Sequence, residues 1–126
     1  MHNAIEHCRT DFGVEITIDD LLPLKSQVNP ADGSLRSKAH FAVGRIRYNP
    51  AKPDEDGTIV YIKPALVAKD PDDVLAYAVT NPDFPNDTTA NQWFDEAHFE
   101  NYRALGQAAG AAAAEAIDAG IRRVLR

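Results

Sequence analysis

Two strand-like runs, residues 39–48 and 58–64, stand on either side of the polar loop Asn49-Pro-Ala-Lys-Pro-Asp-Glu-Asp-Gly57, and this arrangement constrains the chain more than any other. The two prolines and the acidic cluster cannot continue a ladder, so the chain must turn there. Strand, short polar loop and strand together predict an antiparallel hairpin. Phe41 and Val43 fall on one face, Ile46 and Tyr48 on the other, and Gly44 offers a place for a bulge that would switch the faces. Upstream, Val14-Glu15-Ile16-Thr17-Ile18 alternates apolar and polar residues and predicts another strand. Between that strand and the hairpin lies Asp19 to Lys38, rich in turn residues: Pro23, Pro30, Asp32-Gly33 and the serines Ser26, Ser34 and Ser37. A connection this long is unusual, so it is either functional or loosely ordered.

Helices are expected around this sheet. Asn3 to Arg9 reads as the end of a helix, with Ile5 and Cys8 on its apolar edge and Arg9 suited to the C-terminus. A helix that begins at the first residue lacks start signals, which suggests a piece of a longer protein. Asp70-Pro71-Asp72-Asp73 predicts a helix start, with Asp70 as the cap and Pro71 at the first helical position. Val74, Leu75 and Ala78 form its apolar stripe, and Asn81-Pro82 stops it. Two starts compete for the last helix: the capping box Thr89-Ala-Asn-Gln92, and Asp95-Glu96. Beyond them Phe99, Tyr102, Gly106, Ala109, Ala113, Ala116, Gly120 and Val124 recur at helical spacing. Ala109, Gly110, Ala112, Ala113 and Ala116 are small enough to let another element approach closely. The expectation is an α+β chain with a small, mainly antiparallel sheet (strand plus hairpin) covered by two or three helices. It forms one domain or domain fragment over residues 1–126: helix end and strand in 1–20, hairpin in 39–64, helical part in 70–126.

With 19 acidic and 13 basic residues the net charge is −6, which argues against nucleic acid and weakly against an anionic membrane surface. No run approaches the roughly 18–20 apolar residues of a membrane span, and Met1-His2-Asn3-Ala4 has no signal pattern. A cytoplasmic place, or one peripheral to the inner face of a membrane, is expected. Cys8 is the only cysteine, so no intrachain disulfide or all-thiolate zinc site is available. Its neighbour His7 points elsewhere on a helix. None of the serines lies in a Gly-x-Ser-x-Gly elbow, and they read as loop serines. His2, His7, His40 and His98 lack ligand spacing and read as surface or hydrogen-bonded side chains. Asp32-Gly33 reads as a turn. No catalytic residue, metal or cofactor is therefore expected. Arg45, Arg47 and Lys63 would make a basic patch able to hold a phosphate or carboxylate if the hairpin pairs in simple register. The commoner alternative is an ion-paired face, neutralised by Glu15, Asp95, Glu96 or Glu100.

The stretch from Phe84 to Gly106 concentrates Phe84, Trp93, Phe94, Phe99 and Tyr102. Rings at helical spacing usually bury against a sheet, and a binding role is the sharper alternative. Phe84-Pro85-x-x-Thr88-Thr89-Ala90-x-Gln92-Trp93-Phe94-Asp95-Glu96-x-x-Phe99-Glu100-x-Tyr102-Arg103-x-Leu105-Gly106 resembles the C-terminal signature of large bacterial patatin-like proteins. Gly57-Thr-Ile-Val-Tyr-Ile-Lys-Pro64 is similar to a strand of that family, and Ala39-His-Phe-Ala-Val-Gly-Arg-Ile-x-Tyr48 to the strand before it. Cys8-Arg9-x-Asp11-Phe12-Gly13-Val14-x-Ile16 resembles the passage after the family's catalytic Asp-Gly motif. The blocks cover roughly residues 4–106.

The resemblance implies a three-layer α/β hydrolase with a Ser/Asp dyad, an oxyanion hole, and hydrolysis of lipid acyl esters through an acyl-enzyme. Those motifs would all precede Met1. Asp32-Gly33 comes after the family's acidic position, and Asn86-Asp87-Thr88 replaces its usual His-Gln-Ser. The expected role is a non-catalytic C-terminal segment of a patatin-like phospholipase. Phe84, Pro85, Gln92, Trp93, Phe94, Asp95, Glu96, Phe99, Tyr102 and Arg103 are then structural. The partners implied are the remainder of the catalytic domain, or a second copy, with some contact to lipid substrate. The alternatives are a free-standing dimerisation or interaction module, and a domain binding anionic head groups through Arg45, Arg47 and Lys63.

Overall fold

Alternation and turn chemistry produce the expected α+β chain. The computed structural model describes residues 2–18, 20–30, 33–91 and 93–124. Its elements run α1 (His2–Phe12), β1 (Glu15–Ile18), β2 (Gln27–Val28), β3 (Leu35–Arg36), β4 (Phe41–Arg47), β5 (Gly57–Ile62), α2 (Asp72–Thr80) and α3 (Glu96–Val124), with 3-10 turns at Leu22–Leu24 and Pro53–Glu55. Three antiparallel strands form one sheet in the order β1-β4-β5, and β2 pairs with β3 in a second. The chain divides into two compact units, residues 1–21 with 42–61 and residues 22–41 with 62–126.

In the first unit α1 ends because Gly13 takes the left-handed conformation at φ 66°. Its amide donates to the Arg9 carbonyl at 3.1 Å, and the Val14 amide to that of Cys8 at 3.2 Å. This left-handed cap satisfies carbonyls that the helix end leaves free. Strand β1 then pairs with β4 in unbroken register, Glu15 with Arg47 through to Ile18 with Gly44. The bulge anticipated at Gly44 is absent from this ladder. Glycine is required there because a Cβ would strike the Thr17 carbonyl oxygen and come within 3.0 Å of the Ile18 Cα. Ile5, Cys8, Ile16, Ile18 and Ile46 are only half-buried.

The second unit corrects the picture of an irregular connection from Asp19 to Lys38. Strands β2 and β3 form a short ladder, Gln27 opposite Arg36 and Val28 opposite Leu35. At its turn Gly33 has φ 72°, and the Asn29 amide donates to the Ser34 carbonyl at 2.7 Å. Asp32, read as part of that turn, lies outside the described residues. Buried Ser37 ties the segment down, its amide donating to the Leu66 carbonyl at 2.7 Å and its hydroxyl to the Leu24 carbonyl at 3.1 Å.

Helix α2 begins one residue after Pro71, which occupies the cap position with φ −52° and ψ 140° and gives no side-chain cap. Asp70 does not cap it, because its carboxylate accepts the Val67 amide at 2.7 Å and faces His40. Of the two starts proposed for α3, Asp95 is used: its Oδ1 accepts the His98 amide at 2.7 Å. Thr89 and Ala90 form a turn, Trp93 and Phe94 are not helical, and Gln92 lies outside the described residues.

The core gathers Leu66, Val74, Phe84 and Leu105, with Leu75, Tyr77, Ala78, Tyr102 and Ala104 packed against it. On α3 the buried stripe is His98, Leu105, Ala109 and Ala113, whereas Gly106, Gly110 and Phe99 face outward. The small residues at 109 and 113 are thus covered, as their size predicts. No described helix is long and apolar enough to cross a membrane.

Candidate functional site

Three groupings of chemistry-bearing residues emerge within the second unit. The first forms where the chain re-enters α3. His98 and Tyr102 are four residues apart on one helical face, so their rings stack at 5.2 Å with an interplanar angle of 16°. Phe94 packs edge-on against His98 at 4.5 Å, Phe84 against Tyr102 at 4.8 Å, and Tyr77 of α2 against Phe84 at 5.3 Å. Asp87 faces this stack. Its Oδ2 accepts the Tyr102 hydroxyl at 2.6 Å and lies 3.3 Å from the His98 Nε2, without a well-aligned hydrogen bond to that nitrogen.

Burial, reinforced by the hydrogen bond to the Asp87 carboxylate, pushes the Tyr102 hydroxyl up to about 12. Burial and then the charges of Asp95 and Asp87 raise that of Tyr77. Both phenols therefore stay protonated at neutral pH, and that of Tyr102 donates to Asp87. The group latches the loop from Pro82 to Asp95 onto α2 and α3.

The second grouping is the buried pair of His40 and Asp70, with Nε2 to Oδ1 at 2.8 Å and side chains 7% and 1% exposed. Asp70 also accepts the Val67 amide, and the His40 Nδ1 is buried without a hydrogen-bond partner. A carboxylate is acceptor-only, so Nε2 carries the proton. The pair cross-links the start of β4 to the approach of α2.

The third is a cavity of about 330 Å³ beside Ser26, Ser34, Arg36, Lys63, Leu66 and Phe84. Lys63 enters it because it follows β5, and Arg36 because it ends β3.

The basic residues singled out by sequence are divided between the two units. Arg45 and Arg47 sit in the first unit, where each guanidinium Nε lies 3.9 Å from the buried Asp56 carboxylate. Arg47 also reaches Glu15 at 3.4 Å, across the register that pairs them. Lys63 belongs to the second unit. Of the carboxylates considered as neutralisers, Glu15 serves, whereas Asp95 caps α3 and Glu100 pairs with Arg103 at 2.7 Å.

The aromatic signature residues divide. Phe84, Pro85 and Tyr102 face inward, with Phe84 only 4% exposed, while Trp93 is 91%, Phe99 61% and Phe94 48% exposed. Their burial against a sheet is therefore corrected, because α3 starts after Trp93 and Phe94 and turns Phe99 to solvent. Glu96 and Arg103 are exposed on α3. Sequence reasoning missed Asp87, His98, His40 and Asp70 as partners. The four-residue spacing of His98 and Tyr102 was the available signal for the first pair; His40 and Asp70 are 30 residues apart and gave none. Comparison with known proteins finds no match: no family model, curated protein or solved structure matches this chain.

Proposed function

We propose that this chain is a non-catalytic α+β segment of a patatin-like lipid acyl hydrolase, with the role of scaffolding and covering the catalytic part. The resemblance blocks named above supply the family. The observation that carries the reading is the outward face of the Phe84–Gly106 stretch. Trp93, Phe94 and Phe99 expose three aromatic side chains close together in sequence while their neighbours anchor the loop. Aromatic surface of this kind marks an interaction face. The half-buried isoleucines of the first unit point the same way. The occupant argued for is the catalytic polypeptide, which carries the elbow serine and dyad aspartate. Ser37 itself is spent on a backbone carbonyl.

Two measurements test this. The purified chain should hydrolyse p-nitrophenyl butyrate no faster than a buffer blank. Turnover abolished by Ser26→Ala, Ser34→Ala or Ser37→Ala would overturn the reading. The coding sequence upstream of Met1 should specify a Gly-x-Ser-x-Gly elbow and an Asp-Gly motif, and their absence would overturn it too. A second copy is the competing occupant of the aromatic face. Light scattering that reports a stable dimer, lost in Trp93→Ser, would favour that alternative.

A further inference from the structure

We propose that the cleft between Phe94, Phe99 and Tyr102 is a binding site for a small soluble quaternary ammonium compound of the choline type. The cleft has a volume of about 260 Å³, and among the described residues these three aromatic side chains line it. Phe99 and Tyr102 are three residues apart and so adjacent on the surface of α3. Phe94, which precedes the helix, stands at 76° to Tyr102 with ring centroids 6.0 Å apart, a corner and not a stack. Phe99 borders the same gap without pairing with another described ring. Rings that enclose an unfilled space on several sides attract a cation through their quadrupoles. They offer a primary ammonium no hydrogen-bond acceptor, whereas a quaternary ammonium needs none.

Aromatic surface alone would accept any apolar group, and charge narrows the choice. Asp87 accepts the Tyr102 hydroxyl at 2.6 Å, which pushes negative charge onto the phenol. Asp95 follows Phe94 in the chain, and Glu96 opens α3. These three carboxylates outweigh the partial positive charge, about half a unit, at the N-terminus of α3. Arg103, one turn beyond Phe99, is neutralised by Glu100 at 2.7 Å. A phosphate attached to the ammonium would meet the carboxylates with no cation in the lining to receive it. The ligand is therefore a free choline-type molecule and not a phosphocholine head group. The inference does not rest on the scaffolding role: it is read on the chain by itself, and Trp93 is not among the lining residues.

The test is an NMR titration of the full chain with choline chloride and with dimethylbutanol, its uncharged isostere with carbon in place of nitrogen. Saturable shifts at Phe94, Phe99 and Tyr102 are expected for choline, with a dissociation constant on the order of 1–10 mM for so small a ligand. Dimethylbutanol fills the same space without the charge and should bind at least about threefold more weakly. Phe99→Leu keeps an apolar side chain but removes a ring, and should weaken choline binding by about threefold. Phe94→Leu provides a second variant should Phe99→Leu misfold, and a comparable loss is expected. Phe12→Leu, which removes an exposed ring of α1, should leave the affinity unchanged. In sedimentation with phosphatidylcholine vesicles the chain should stay in the supernatant. Absence of saturable shifts, dimethylbutanol binding as tightly as choline, or unchanged affinity in Phe99→Leu and Phe94→Leu would each overturn the assignment. Sedimentation with the vesicles that choline reverses would overturn the soluble ligand in favour of a membrane head group.

Discussion

At residue scale, Gly44 carries the sharpest steric demand. A methyl group there must displace the Thr17–Ile18 backbone of β1, so Gly44→Ala should destabilise the chain by about 1–3 kcal/mol, read as a lowered urea midpoint. Asp70 is fully buried and serves two donors. Asp70→Ala strands the His40 Nε2 and the Val67 amide, and a loss of about 3 kcal/mol is expected in the same assay. Tyr102 adds a pH dependence. Its folded-state value, about 12, lies above the ordinary 10.0, so the fold favours the protonated phenol. That contribution is intact below pH 10.0 and is lost as pH rises through about 12. Stability should therefore fall across that alkaline window, and Tyr102→Phe should flatten the fall in urea titrations on both sides of pH 10.0. Tyr77 shifts in the same direction, so some alkaline slope should remain in the variant.

At the scale of elements, α3 shows how a helix start is chosen between two adequate signals. Thr89 and Asp95 both suit a cap, but starting at Asp95 leaves Phe94 free to fold back onto His98. Asp95→Ala should cost about 1 kcal/mol by removing the acceptor for the His98 amide. Leu105, fully buried where α3 meets the core, should cost about 2–5 kcal/mol when replaced by Ala. The helices and main strands were legible in the chain because punctuation by Pro71 and Pro82, the alternation in residues 14–18 and the polar loop between residues 39–48 and 58–64 are local. The β2–β3 ladder was not legible, because two-residue strands carry too little pattern to stand out from turn chemistry. Asp70 was read as a cap for a similar reason. Its competing partner, His40, is distant in sequence, and the buried pairing outcompetes an exposed cap.

At the scale of the whole molecule, the only tryptophan reports on the proposed interaction face. Trp93 is 91% exposed, so its fluorescence should resemble that of free tryptophan in water. Addition of a patatin-like catalytic domain should shift the emission to the blue. Trp93→Ser should change stability by no more than about 0.5 kcal/mol, as expected for a surface position. Emission already blue-shifted in the isolated monomer would contradict the exposed placement.

Local chemistry along the chain set the α+β class, the order of its main elements and the glycine cap of α1, because caps, prolines and period-two alternation act over a few residues. Packing decided the rest. It sent Arg45 and Arg47 to Asp56, placed Lys63 with Arg36, buried His40 against Asp70, and turned Trp93 and Phe99 outward. Each of those outcomes depends on which distant side chain offers a counter-charge, a hydrogen bond or apolar cover, and such neighbours exist only once the chain has folded.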